Sequence, residues 1–227
     1  MEKRKIIGFI IIIFGILIVA YPISLRMQAN KDQKKLRGEF EETKKIVSEE
    51  IKEENKDLEN KDLENKDLEQ KDKKEEIRIS YDAWPETLMR IPKIDVEAVV
   101  VEMEASDIDV FAANANYPPA HYRNTDFPGG KSNVAIAAHR TGPADYFRHL
   151  DRLEEGDYIT LETTKSFHEY IVERVFIVDP TDNSVIKGTD YGALTLTSCE
   201  REDGISNKKR IIVRARLKDE DLDKKNK

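Results

Sequence analysis

The pattern of apolar and polar positions divides the chain into three stretches. Residues Ile6 to Leu25 (IIGFIIIIFGILIVAYPISL) run for 20 positions without a charge. A helix of that length spans roughly 30 Å, the thickness of a bilayer's hydrocarbon. The run exceeds the apolar region of a cleavable signal peptide, and no small-x-small pattern precedes the polar stretch, so an uncleaved anchor is expected over a signal peptide. Lys3, Arg4 and Lys5 crowd one flank and only Arg26 lies immediately after the other, although Lys31, Lys34, Lys35 and Arg37 follow soon. The near flank favours a cytoplasmic N-terminus; charge alone does not decide it.

Arg26 to Glu76 is polar and holds a tandem repeat, NKDLE at Asn55–Glu59, Asn60–Glu64 and Asn65–Glu69. From Ile51 to Glu76 there are 7 Lys and 11 Asp or Glu, and only Ile51, Leu58, Leu63 and Leu68 are apolar. A five-residue period turns by about 140° per repeat on a helix, so these leucines form no stripe. Heptads are absent, which argues against a coiled coil. The expectation is a solvated charged spacer that contributes no core, about 40 Å long as flexible coil.

From Ile77 to Leu217 the pattern becomes globular. Strand-like runs occur at Thr87–Ile91, Val96–Val101, Asn133–Ala138, Tyr158–Glu162, Tyr170–Val178, Ala193–Cys199 and Arg210–Leu217, bounded by Gly, Pro, Asp and Asn. Short helices are expected at Ser106–Ala113 and Ala144–Leu153. Many short strands with little helix read as an all-β sandwich or barrel. Residues 218–227 are all but devoid of apolar side chains and should fray. The organisation expected is therefore a tail at 1–5, an anchor at 6–25, a charged linker at 26–76, a folded domain at 77–217 and a disordered end.

Composition narrows the function. A net charge of −7 argues against nucleic-acid binding, which needs a basic face. One cysteine excludes an internal disulfide framework and multi-cysteine metal sites, and four scattered histidines make a metal centre a poor expectation.

The chemistry gathers at three strand ends. Side chains alternate along a strand, so Leu194 and Leu196 face one way while Thr195, Thr197 and Cys199 face the other. The same rule places Val134, Ile136 and Ala138 in the core and His139 opposite. It sends Ile211, Val213, Ala215 and Leu217 inward, leaving Arg210, Arg214 and Arg216 outside. If the three strands are neighbours, a thiol, an imidazole and a guanidinium share one groove. A thiolate is a nucleophile that nearby cations favour, and an imidazole can give a proton to a departing amine. The spacing alone leaves an inert buried cysteine about as good a reading.

These segments resemble the sortases, cysteine transpeptidases of Gram-positive cell surfaces. Thr195-Leu-Thr-Ser-Cys199 is similar to their TLxTC signature, with Ser198 in place of Thr. Asn133 to His139 resembles the segment carrying their histidine, and Lys209 to Leu217 their last strand, whose first arginine is catalytic. The likeness runs over roughly residues 88 to 217, with His139-Arg-Thr-Gly, Phe147 to Leu153 and Glu155-Gly-Asp157 between the motifs. It implies a closed eight-stranded β-barrel outside the cell with one or two short helices. Cys199 would attack the threonine carbonyl of an LPxTG-like sorting signal. His139 would be the general acid and base, and Arg210 the oxyanion or substrate holder, with Arg214 and Arg216 as runners-up. Thr197, Ser198 and the backbone N–H of Glu200 would bind substrate. A peptidoglycan-precursor amine or a pilin lysine would resolve the thioester. The partners are then surface proteins, the amine acceptor and the membrane; no cofactor or metal is called for.

His121 lies in a Pro-Pro-Ala-His-Tyr segment that resembles a loop histidine of some sortase subclasses, while His149 and His168 read as surface residues. Asp82-Ala-Trp84 resembles the lid of pilin-polymerising sortases but lacks the usual proline. The competing readings are a membrane-tethered binding module that keeps the barrel without catalysis, and a cysteine hydrolase that uses water.

Overall fold

The computed structural model describes residues 2–62, 83–103, 114–200 and 209–218. Among these residues one α-helix, α1 (Glu2–Asp62), precedes eight strands: β1 (Thr87–Ile91), β2 (Val96–Met103), β3 (Ala120–Tyr122), β4 (Asn133–Ala137), β5 (Tyr158–Thr163), β6 (Phe167–Val178), β7 (Ala193–Glu200) and β8 (Lys209–Leu217). They close into a barrel in the order β1-β2-β3-β4-β7-β8-β6-β5. Most neighbours are antiparallel; β2–β3 and β4–β7 are parallel. Closure removes the exposed edges that an open sheet would leave.

The expected alternation holds inside the barrel. Val134, Ile136, Leu194, Leu196, Ile211, Val213 and Ala215 join Met89, Ile91, Leu161 and Tyr170 in one buried cluster. All seven expected strands are present, and β3 is the one the pattern missed. With three residues it is too short to show a period.

The stretch at Ala144–Leu153 is turns ending in a 3-10 segment at Leu150–Arg152 rather than the helix expected. Its buried residues, Ala144, Phe147, Leu150 and Leu153, recur every third position. That matches three residues per turn better than 3.6. The helix expected at Ser106–Ala113, the third NKDLE repeat, Asp82 and the chain after Lys218 lie outside the described residues.

The region after the apolar run differs most from expectation. Its described part, up to Asp62, is helix rather than coil, and some of that helix is packed. Phe40 is fully buried against Leu88 and Val99, with Leu36 beside it. Gln33 donates from Nε2 to the Val99 carbonyl at 3.1 Å and accepts from the Val99 N–H at 2.9 Å. Arg37 pairs with Glu97, and Lys44 with Glu162. Burial raises the Glu162 carboxyl, but hydrogen bonds from Arg90 and Lys44 outweigh it and hold the pKa below the ordinary value. The apolar run itself is exposed on every side, and it is the one described helix long and apolar enough to cross a membrane.

Candidate active site

The sheet brings Cys199, Arg210 and the backbone of His139 together where β7 runs between β4 and β8. On one side, Cys199 lies directly opposite Arg210 in the antiparallel register. On the other, Ala137 of β4 pairs with Thr197 in parallel register, and the Ala138 N–H donates to the Thr197 carbonyl at 3.2 Å. That bond carries the backbone of His139 alongside the end of β7. Residues opposite each other in register project to the same face, so thiol and guanidinium share the face turned away from the core. All three residues are half-buried.

The imidazole is held by a turn. His139 Nε2 lies 3.0 Å from the Asn114 carbonyl, which only accepts, so Nε2 carries hydrogen and Nδ1 is the basic nitrogen of the neutral ring. The Asn114 carbonyl also accepts from the Tyr117 N–H at 3.0 Å. Gly142, three residues after the histidine, has φ +101, a conformation in which a side chain is strained. It brings the loop back so that the Ala144 N–H reaches the Ala115 carbonyl at 3.2 Å.

The remaining expected residues are placed as follows. Thr197 shares the face of Cys199, and its Oγ1 is 3.0 Å from the Tyr122 hydroxyl. Ser198 and Glu200 alternate to the other face of β7. Ser198 Oγ donates to the Ala138 carbonyl at 2.7 Å, tying β7 to β4. Glu200 receives Arg140 at 2.8 Å, and Arg140 also reaches Asp151 at 2.9 Å. Any groove contact by Ser198 or Glu200 therefore falls to their backbone.

Arg214 and Arg216 are separated from the thiol. Arg214 faces Thr195, lies 7% exposed and donates to the Val185 carbonyl at 2.7 Å. It was expected outside; it has the expected face, but the 3-10 turn Asn183–Ile186 covers it. Arg216 is exposed, 2.7 Å from Glu173 and 3.7 Å over the Tyr191 ring.

Tyr122 was not singled out from sequence. Burial pushes its phenol pKa up, against the Thr197 hydrogen bond and the Arg210 charge. Its neighbour His121 is fully buried, stacked 3.8 Å from Trp84. Burial pulls its pKa down to about 4. Trp84 is itself fixed by a 3.0 Å bond to the Val100 carbonyl. The segment's likeness marks His121 from sequence, but a three-residue strand gives no periodic signal, so only the fold finds Tyr122.

A sortase-domain family model matches residues 89–218, which contain the whole barrel beyond the first two residues of β1. The chain belongs to the sortase family. Sortases are cysteine transpeptidases, and the strand ends described above carry the residue types that chemistry uses. Sortase SrtE1 of Streptomyces coelicolor is 27% identical over 143 residues, 59% of this chain and 40% of that protein. The chain thus spans about 40% of the length of this curated relative. Among solved sortases, a Clostridium perfringens sortase D5 transpeptidase is 27% identical with a TM-score of 0.57, covering 82% of this chain and 98% of that one. That is more of this chain than residues 89–218 account for. Streptococcus agalactiae sortase C1 shares the fold at 22% identity and a TM-score of 0.51, over 59% of this chain and 66% of that one.

Proposed function

We propose that this sortase is a membrane-anchored transpeptidase that cleaves an LPxTG-like sorting signal after threonine and passes the acyl group to an amine. The observation that carries the reading is the cross-strand pair of Cys199 and Arg210 beside the backbone of His139. The Cys199 thiol passes its proton to His139, the thiolate attacks the threonine carbonyl, and the oxyanion is met by Arg210 and the Glu200 N–H. The C–N bond breaks as His139 gives its proton to the departing amine. The acceptor amine then attacks the thioester, returns a proton to His139 and releases the thiolate. Thr197 and Ser198 serve the groove through the strand they fix.

The acceptor is a cell-wall precursor amine or a pilin lysine, and the donors are surface proteins with a C-terminal signal. Residues 6–25 anchor the chain, with residues 1–5 cytoplasmic and the barrel outside the cell.

The test is a quenched LPxTG peptide with and without an added amine, using the full-length protein. Cleavage after threonine, an amide product with the amine, and loss of both in Cys199→Ala are expected. Cleavage giving only the free acid marks a hydrolase. A folded protein whose thiol resists a methanethiosulfonate and whose peptide stays intact marks a binding module.

A further inference from the structure

We propose that α1 seats the barrel directly on the lipid bilayer, with the turn that follows His139 nearest the membrane. The inference rests on reading Ile6–Leu25 as a membrane span. Because α1 is one helix from Glu2 to Asp62, the apolar run and the docked segment are parts of the same rod.

The contacts follow the helix in order. Arg26, the first residue past the apolar run, lies 3.7 Å from Asp145. Gln33 then holds the Val99 backbone, Arg37 pairs with Glu97, Phe40 packs on Leu88 and Val99, and Lys44 ends on Glu162. The stretch from Arg26 to Lys44 covers roughly 27 Å, about the diameter of a small domain. No chain is left between bilayer and barrel to act as a spacer.

The membrane-side end of this contact is the end that carries the histidine. Asp145 lies in the loop that begins at His139, and the Phe147 N–H donates back to the His139 carbonyl at 3.0 Å. The second support of the imidazole is there too. A cavity of about 360 Å³ is lined by Gln28, Asp32 and Leu36 of the helix and by Asn114, Asn116 and Tyr146 of the barrel. Tyr146 is pushed up to about 12 by burial and by the carboxylates of Asp145 and Asp32. Both segments that hold His139 therefore meet the first three turns of α1 beyond the apolar run. Glu162 and the β5–β6 hairpin are at the far end.

Pro22 removes one helix hydrogen bond inside the span, which changes the tilt of the rod but not the distance along it. The groove thus works at the height of the lipid headgroups, where a donor and an acceptor that are both held by the membrane can reach it. Beyond Lys44 the helix continues for roughly 27 Å and carries Asn55–Glu59 away from the bilayer.

Full-length protein in phosphatidylcholine–phosphatidylglycerol vesicles tests this. In a Cys199→Ala background, one fluorophore is placed at Arg148→Cys, beside Asp145, and in a second protein at Lys165→Cys in the β5–β6 hairpin. With nitroxide-headgroup lipids, quenching at position 148 should exceed that at 165 several-fold. Gln33→Ala with Phe40→Asp should bring both to the same low value while the β-rich circular dichroism persists. Equal quenching in a chain that floats with the vesicles overturns the seating alone. A chain that does not float overturns the anchor reading, and the seating with it.

Discussion

Two ends of the same outward face of β4, β7 and β8 meet opposite fates. At one end, Asn133, Thr195 and Arg214 lie under the Asn183–Ile186 turn. Thr195 Oγ1 donates to Asn133 Oδ1 at 2.7 Å, Asn133 Nδ2 donates to the Val185 and Lys187 carbonyls at 3.2 and 3.1 Å, and Arg214 shares the Val185 carbonyl. Burial pulls the Arg214 guanidinium's pKa below its ordinary value. At the other end the same strands present Cys199, His139 and Arg210, all half-buried. Alternation places both sets on one face, but cover decides which set can meet a substrate.

Exchanging the two arginines for alanine should separate these ends most sharply. Arg210→Ala should lower turnover of the quenched peptide by roughly 10²–10³-fold with an unchanged thermal midpoint. Arg214→Ala should leave turnover per folded molecule intact and destabilise by about 1–3 kcal/mol, read from urea unfolding. Loss of turnover in a fully folded Arg214→Ala protein would break the contrast.

A second covered patch lies under α1, and Phe40→Ala tests it. A fully buried phenylalanine cut to alanine should cost about 3 kcal/mol by urea unfolding of the full chain. Deleting residues 1–76 uncovers Leu88 and Val99 as well, so that fragment should be less stable than the whole protein rather than indifferent to the loss.

His121 gives the third contrast, a covered imidazole against the half-buried His139. Its folded pKa of about 4 lies below the ordinary value of 6.5, so the fold favours the neutral ring. The associated stability is complete above pH 6.5 and is lost as pH falls toward about 4. The difference corresponds to about 3 kcal/mol. The stability of His121→Phe, measured by urea midpoint, should be flatter over that window. An identical acid slope in the two proteins would mean that His121 is not the group responsible.

The barrel's inner face was legible because apolar residues alternate with polar ones, as Leu194 and Leu196 do with Thr195 and Thr197 and as Val213, Ala215 and Leu217 do with Arg214 and Arg216. The docked face of α1 left a weaker trace: Ala29, Gln33, Leu36 and Phe40 stand at i, i+4, i+7 and i+11, a helical stripe with a polar member. The surrounding charge masks it, and the NKDLE leucines further along form no stripe. Tyr122 and the Asn114 carbonyl left no trace, because a hydroxyl or main-chain oxygen gains its role only from what the fold sets opposite it.

By itself the sequence determined the apolar N-terminal run, seven of the eight barrel strands and the thiol, imidazole and guanidinium at strand ends. Hydropathy and alternation are properties of neighbours along the chain, and motif order is written in it. Tertiary structure alone decided that Cys199 faces Arg210 and not Arg214 or Arg216, that Asn114 holds His139 through its carbonyl, and that the segment after the apolar run packs on the barrel. Each of these depends on register or burial between residues far apart in sequence, and no local period encodes such a pairing.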